Sequence, residues 1–228
     1  VVVDTHSTNS LKIIAIDGPA GSGKSTVARA LSEILGLSVL DTGAMYRSVA
    51  LVALESGTSL EDFKECARIA NEIEINLDHG VRLGSRDIEK EIRGPEVTAA
   101  VSKVAAIPEV RVALVARQRQ WVSDHGGGIV EGRDIGTVVF PNATLKVFLT
   151  ARDSERARRR QSDEVAAQRS IAVDEVAQEI ARRDHLDSTR TVSPLVADPD
   201  ALSVDTSDNT VNEVVAEILR HYSAKGEQ

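Results

Sequence analysis

The chain has 228 residues, 42% hydrophobic and 27% charged, the composition of an ordinary globular protein with one large domain or one domain carrying an insertion. Lys+Arg 27 against Asp+Glu 35 leaves a net charge of −8, which argues against a protein that mainly coats nucleic acid or an anionic membrane. The single cysteine, Cys66, excludes an internal disulfide and a cysteine-based structural zinc site.

The first ten residues, VVVDTHSTNS, lack a basic stretch followed by an apolar one, so they read as a loose arm rather than a secretory leader. No apolar run approaches the roughly 18–20 residues of a membrane span, and a soluble cytoplasmic protein is the expectation. Leu11–Ile16 (LKIIAI) predicts a buried strand. Gly18–Gly23 breaks it, and Lys24–Leu35 carries helical spacing through Val27, Leu31, Ile34 and Leu35, stopped by Gly36. Leu37–Leu40 predicts a second strand and Ala44–Glu55 a second helix. Over Asn71–Arg93 the helical period fades into short alternating pieces with a turn at Asp78-His79-Gly80, the pattern of a small antiparallel hairpin. A helix is predicted from about Pro108 through Val110–Asp124. Strands follow at Gly128–Glu131 and Leu145–Leu149, then charged helices at Arg152–Gln168 and Asp174–Asp187. A last strand at Ala201–Val204 precedes a closing helix at Val211–Tyr222. Five strands alternating with helices predict an α/β fold with a parallel sheet covered on both faces. The segment from about Leu60 to Val104 reads as an insertion at the sheet's edge.

Gly18-Pro19-Ala20-Gly21-Ser22-Gly23-Lys24-Ser25 matches G-x-x-x-x-G-K-[ST] between a predicted strand and a predicted helix, the context of a P-loop. The glycines let backbone amides turn inward onto phosphate oxygens, and the helix adds its positive end. Lys24 reaches β- and γ-phosphates, and Ser25 offers a hydroxyl to Mg²⁺. An N-K-x-D guanine-reading motif is absent from the sequence, which counts against a GTPase switch. Thr42, Tyr46 and Arg47 follow the second strand, where they either serve a smaller anionic ligand or simply begin a helix capped by Asp41 or Thr42.

Arg156, Arg159 and Arg160 share one helical face by their spacing. That face either grips transferring phosphate or is a solvated surface paired to local acids. Arg133 and Asp134 lie on a turn at a strand's C-terminal end, where open α/β sheets place ligands; the alternative is an ion pair holding the loop. Arg183 and Arg190 share a face if their helix continues that far, with Arg183–Asp187 as an i,i+4 pair. Arg111 lies one turn past Pro108, in a pocket or on the surface. The five histidines show no metal-ligand spacing, Trp121, Phe140 and Phe148 read as core, and Cys66 reads as an inert small hydrophobe.

The blocks GPAGSGKST, LDTGAMYR, VAAIPEVR, EGRDIGTVVFP, SERARRR and RRDHLDSTRTVSPL, in this order over most of residues 11–196, resemble the bacterial cytidylate kinases. The resemblance implies an α/β P-loop kinase: a five-stranded parallel sheet flanked by helices, a small monophosphate-binding insert and a short lid. It implies an arm over 1–10, core over 11–59, the insert over 60–104, and core over 105–228 with a lid at about 152–170. The implied reaction is transfer of the γ-phosphoryl group of ATP, with Mg²⁺, to CMP or dCMP. Gly18 through Thr26 would hold ATP, that is Gly18, Pro19, Ala20, Gly21, Ser22, Gly23, Lys24, Ser25 and Thr26. Arg47, Tyr46 and Arg133 would hold the acceptor's phosphate. Thr42, Arg111, Asp134 and Arg190 would face the cytosine, and Ser102, Arg183 and Asp187 the sugar. Lys24, Arg133, Arg156 and Arg160 would act on the phosphoryl group in flight. Small-molecule partners, a monomer, and neither nucleic acid nor membrane are expected. The readings held against it are another acceptor such as UMP, a P-loop ATPase switch, and an RNA-binding protein using Arg152–Arg160.

Overall fold

The computed structural model describes residues 11–78, 80–169 and 171–226; the arm expected over 1–10 lies outside the described residues. Strand β1 (Lys12–Asp17) leads into helix α1 (Lys24–Leu35), and β2 (Val39–Asp41) into α2 (Thr42–Glu55). Next come α3 (Phe63–Glu72), the short strands β3 (Ile75–Asn76), β4 (Arg82–Leu83) and β5 (Arg86–Asp87), and a 3₁₀ turn at Glu91–Arg93. Helices α4 (Pro95–Ala106) and α5 (Pro108–Asp124) precede β6 (Gly127–Glu131), a π-helical turn at Ile135–Val139 and β7 (Leu145–Thr150). The chain closes through α6 (Asp153–Ala166), α7 (Val173–Thr189), β8 (Leu202–Asp205) and α8 (Val211–Gly226).

The main sheet runs β2-β6-β1-β7-β8, every neighbouring pair parallel. Its strands are buried on both faces because successive side chains alternate sides. Ile13 and Ala15 of β1 enter the apolar cluster under α2 and α5, while Ile14 and Ile16 enter the one under α1 and α8. Helix α1 contributes Val27, Ala28 and Leu31 to the second cluster, and α8 contributes Val214, Val215 and Ile218. The five strands foreseen from sequence are the five strands of this sheet.

The expected antiparallel region is a three-stranded sheet, β3-β4-β5. Its second turn is at Gly84-Ser85, with Gly84 at φ 53°, while the turn expected at Asp78–Gly80 includes His79, which lies outside the described residues. The segment foreseen at the sheet's edge packs instead on α2 and α5, and Cys66, Ile69, Val81, Ile88 and Ile92 join the main core. Helix α4 was not foreseen, although Pro95 at its first position marks the start. Of the three aromatic residues assigned to the core, Trp121 and Phe140 are half-buried and pack against it, and Phe148 is half-buried. Trp121 stacks on His125 at 3.9 Å between ring centres and donates to Asp78 at 3.3 Å.

Candidate active site

The carboxyl ends of β2, β6 and β1 stand side by side: Asp41 and Ile16 both pair in register with Glu131. Ligands collect at this edge in open parallel sheets. The P-loop leaves β1 here. Gly18, at φ 146°, would put a Cβ 2.1 Å from the Leu149 carbonyl, so only glycine fits. Gly21, at φ 76°, lies so close to α6 that a Cβ would meet the Arg156 backbone at 3.1–3.2 Å. Lys24 folds back along the loop and donates to the carbonyls of Gly18 at 2.9 Å and Pro19 at 2.7 Å. Among the described residues, no backbone carbonyl accepts from the amides of Gly21, Gly23, Lys24, Ser25 or Thr26. An N-terminal helical turn with open amides and a lysine beside it is an anion cradle.

Ser25 Oγ donates to the Glu131 carboxylate at 2.9 Å, whereas Thr26 is exposed. Burial pushes the Glu131 carboxyl up and the Lys24 ammonium down, and the charges of Asp41 and Arg133 push in the same respective directions. Asp17, at the end of β1, accepts from the amides of Ile135 at 2.8 Å and Gly136 at 2.7 Å. Burial raises its carboxyl to about 6 despite those two bonds.

Beside the cradle lies a cleft that gathers Thr42, Tyr46, Arg47, Ser102, Arg111, Arg133, Asp134, Arg183, Asp187 and Arg190. All ten residues foreseen for the acceptor line it. Asp41 caps α2 by accepting from the Ala44 amide at 3.0 Å, and Thr42 donates to the Glu131 carbonyl at 2.7 Å. Capping and pocket lining therefore coexist here. Asp134 accepts from Arg111, and from Arg190 at 3.4 Å; Arg133 pairs with Asp187 at 3.1 Å. Arg133 and Asp134 thus each turn to a different element rather than to each other. Arg111 also lies over the Tyr46 ring, 5.6 Å from its centre. The helix carrying Arg183 ends at Thr189, so Arg190 leaves it with extended backbone and enters the pocket from the following loop. Ser102 Oγ is buried without a partner among the described residues.

Among the described residues, two arginines of this pocket form no ion pair, although Asp41 lies near Arg47 and Asp187 and Glu179 lie near Arg183. Arg47 donates to the Ile92 carbonyl and Thr98, both at 2.8 Å. Arg183 is 9% exposed, its Nε has no partner, and Asp187 on the same helix is already taken by Arg133. Burial, then the neighbouring guanidinium groups, push Arg47 down to about 9 and Arg183 down to about 10. A bound anion would remove that penalty.

The three α6 arginines expected on one face diverge. Arg156 donates to the Ala20 carbonyl at 3.0 Å, Arg159 to Thr206 at 2.9 and 2.6 Å, and Arg160 to Glu164 at 2.8 Å. Glu131, Asp17, Glu164 and Asp184 escaped the sequence reading. A carboxylate closing a buried strand, as in Glu131 and Asp17, was the available signal for two of them.

The cytidylate kinase family model matches residues 14–224. The chain is 51% identical over 208 residues to the cytidylate kinase of Mycobacterium avium, covering 89% of this chain and 91% of that one. It is 46% identical over 219 residues to the cytidylate kinase of Carboxydothermus hydrogenoformans, covering 94% and 98%. In fold it resembles an uncharacterized protein from Eubacterium ventriosum, with a TM-score of 0.53 at 10% identity, covering 93% of this chain and 99% of the other.

Proposed function

Because the chain belongs to the cytidylate kinase family, we propose that this site transfers the γ-phosphoryl group of ATP to CMP or dCMP, giving ADP and the nucleoside diphosphate. A P-loop with open amides stands beside a pocket holding two buried arginines that form no ion pair among the described residues, and that juxtaposition carries the reading.

The donor nucleotide lies on residues 18–26, and Lys24 exchanges the loop carbonyls for the β- and γ-phosphates. Ser25 Oγ and the Glu131 carboxylate, 2.9 Å apart, form a hard-oxygen pair at the mouth of the loop that suits Mg²⁺. When bound, that ion would neutralise phosphate charge and orient the β- and γ-oxygens. Arg47 and Arg133 hold the acceptor's phosphate, with Tyr46 at the pocket wall, and Arg183, which the resemblance set at the sugar, joins them because its buried guanidinium forms no ion pair among the described residues. Ser102 and Asp187 face the sugar. Thr42, Arg111, Asp134 and Arg190 face the base. The acceptor's phosphate oxygen attacks in line, so the protein supplies position, charge and exclusion of water rather than a covalent intermediate. Arg156 and Arg160 on α6 act on the phosphoryl group in flight.

Residues 60–104 serve as the monophosphate-binding insert and about 152–170 as the lid. The two already meet at the pocket mouth, where Arg169 donates to the Arg93 carbonyl at 3.4 Å. The chain is read as a monomer whose partners are ATP and CMP or dCMP. Those nucleotides fit a cytoplasmic location. No described helix is long and apolar enough to cross a membrane.

ADP release measured across CMP, dCMP, UMP, AMP, GMP and dTMP tests the reading. CMP and dCMP should be the fastest, and equal release without any acceptor would mean an ATPase. Cytosine has a donor at N4 where uracil has an acceptor at O4, so the acceptor-only carboxylate of Asp134 favours cytosine. In Asp134→Ala the CMP:UMP ratio of kcat/KM should fall by about one to two orders of magnitude, mostly on the CMP side. Equal loss on both substrates would leave Asp134 as a brace for Arg111 and Arg190.

A further inference from the structure

The P-loop is held from outside by α7, and the hold ends in a carboxylate with no assigned role. Val176, Ile180 and Asp184 recur every four residues, so they form one stripe along the helix. Val176 and Ile180 pack on Ala20 in a small apolar cluster of their own. One turn further, Asp184 Oδ1 accepts from the Ala20 amide at 3.1 Å, and its Oδ2 accepts from Arg156 Nη1. The same Nη1 donates to the Ala20 carbonyl at 3.0 Å. One carboxylate thus fastens the third residue of the loop, the lid helix α6 and α7 into a single knot. Arg156 is 7% exposed, its Nε has no partner, and its other carboxylate, Asp153, is nine-tenths exposed. A partner that exposed is screened and mobile, so Asp184 is the anchor that counts.

We propose that Asp184 is a positioning residue for phosphoryl transfer: it sets the Arg156 guanidinium against the P-loop, where the donor phosphates bind. The proposal rests on the kinase reading above. A guanidinium stabilises a transition state only if its orientation is settled before the reaction. An arginine freed from Asp184 would still carry charge but would have to be ordered at each turnover, so the loss falls on kcat and not on acceptor binding.

Asp184→Asn keeps an oxygen for the Ala20 amide and removes the charge facing Arg156. Its kcat should fall at least tenfold, with the KM for CMP changed less than twofold and the melting temperature of the ligand-free protein nearly unchanged. The same substitution in an Arg156→Ala background should cost almost nothing further, because the two residues act as one unit. Asp184→Ser runs the same cycle if the asparagine variant is unstable. Unchanged kcat, a raised KM for CMP alone, or losses that multiply in the double variant would each overturn the proposal. If Arg156→Ala itself turns over at the full rate, the assignment of Arg156 to the reacting phosphoryl falls, and this inference with it. If Arg156→Ala is slow and Asp184→Asn is not, only the inference falls.

Discussion

The P-loop cradle and the arginine pocket beside it both wait for phosphate, yet they are built in opposite ways. The cradle takes its groups from nine consecutive residues, 18–26, and most of its electrostatics from backbone amides and a helix end. The pocket takes Arg47 from α2, Ser102 from α4, Arg111 from α5, Arg133 and Asp134 from the turn after β6, and Arg183 and Asp187 from α7. Its charge resides wholly in side chains, packed so closely that they disfavour one another's charged state. Elsewhere on the molecule arginine behaves differently: the exposed Arg86 meets Glu55 at 2.6 Å, and its guanidinium is pushed up by that contact. A contiguous cradle is cheap to hold, whereas a convergent pocket stores unfavourable charge that its ligand relieves.

The largest effect expected is at the cradle's one cation. Lys24→Ala should lower turnover by about 10²-fold or more while the fold survives, since preorganised charge at a transferring group is worth several kcal/mol. Circular dichroism and the ADP-release assay check both halves, and near-normal turnover in the folded variant would remove Lys24 from the phosphate site.

The pocket should answer differently. Arg183→Met removes a buried cation that forms no ion pair among the described residues. The KM for CMP should rise about 10- to 100-fold, the value of a lost charge-assisted contact. The ligand-free protein should gain stability, about 1 kcal/mol or a few degrees of melting temperature, because a buried charge that forms no ion pair is gone. A loss of ligand-free stability would mean that the pocket's charge is already balanced. Arg86→Met on the surface should change neither quantity measurably.

The smallest effect is a pH dependence at the junction of the two regions, where Asp17 ends the P-loop strand and holds the turn after Asp134. Its carboxyl lies at about 6 in the fold against an ordinary 3.8, so the folded state binds the proton more tightly than the unfolded chain. The group's favourable contribution is full below about pH 4 and is lost as pH rises through 6. Between pH 5 and 7 the ligand-free wild type should therefore lose about 1 kcal/mol relative to Asp17→Asn. Denaturant unfolding at the two pH values measures it, and a difference of the opposite sign would mean that the two amides outweigh burial.

Much of this molecule was legible in the residues themselves. Short β-branched runs alternating with amphipathic helices specify the five parallel strands, because burial on both faces imposes that pattern wherever it occurs. The cradle was legible because its chemistry is local: glycine freedom, amide direction, a lysine and a hydroxyl within nine residues. The pocket's membership followed from resemblance in the blocks around Thr42, Arg111, Asp134 and Arg190, but its pairings did not. Only the tertiary structure decides that Asp134 meets Arg111 and Arg190 while Arg133 turns to Asp187, or that three arginines sharing one helical face diverge to Ala20, Thr206 and Glu164. It alone places Ser25 on Glu131 and Asp184 on Ala20, residues 106 and 164 positions apart. Spacing along a chain fixes which face a side chain occupies. Which charges are left unpaired on burial depends on what the other elements bring to the same edge of the sheet, and no local pattern carries that information.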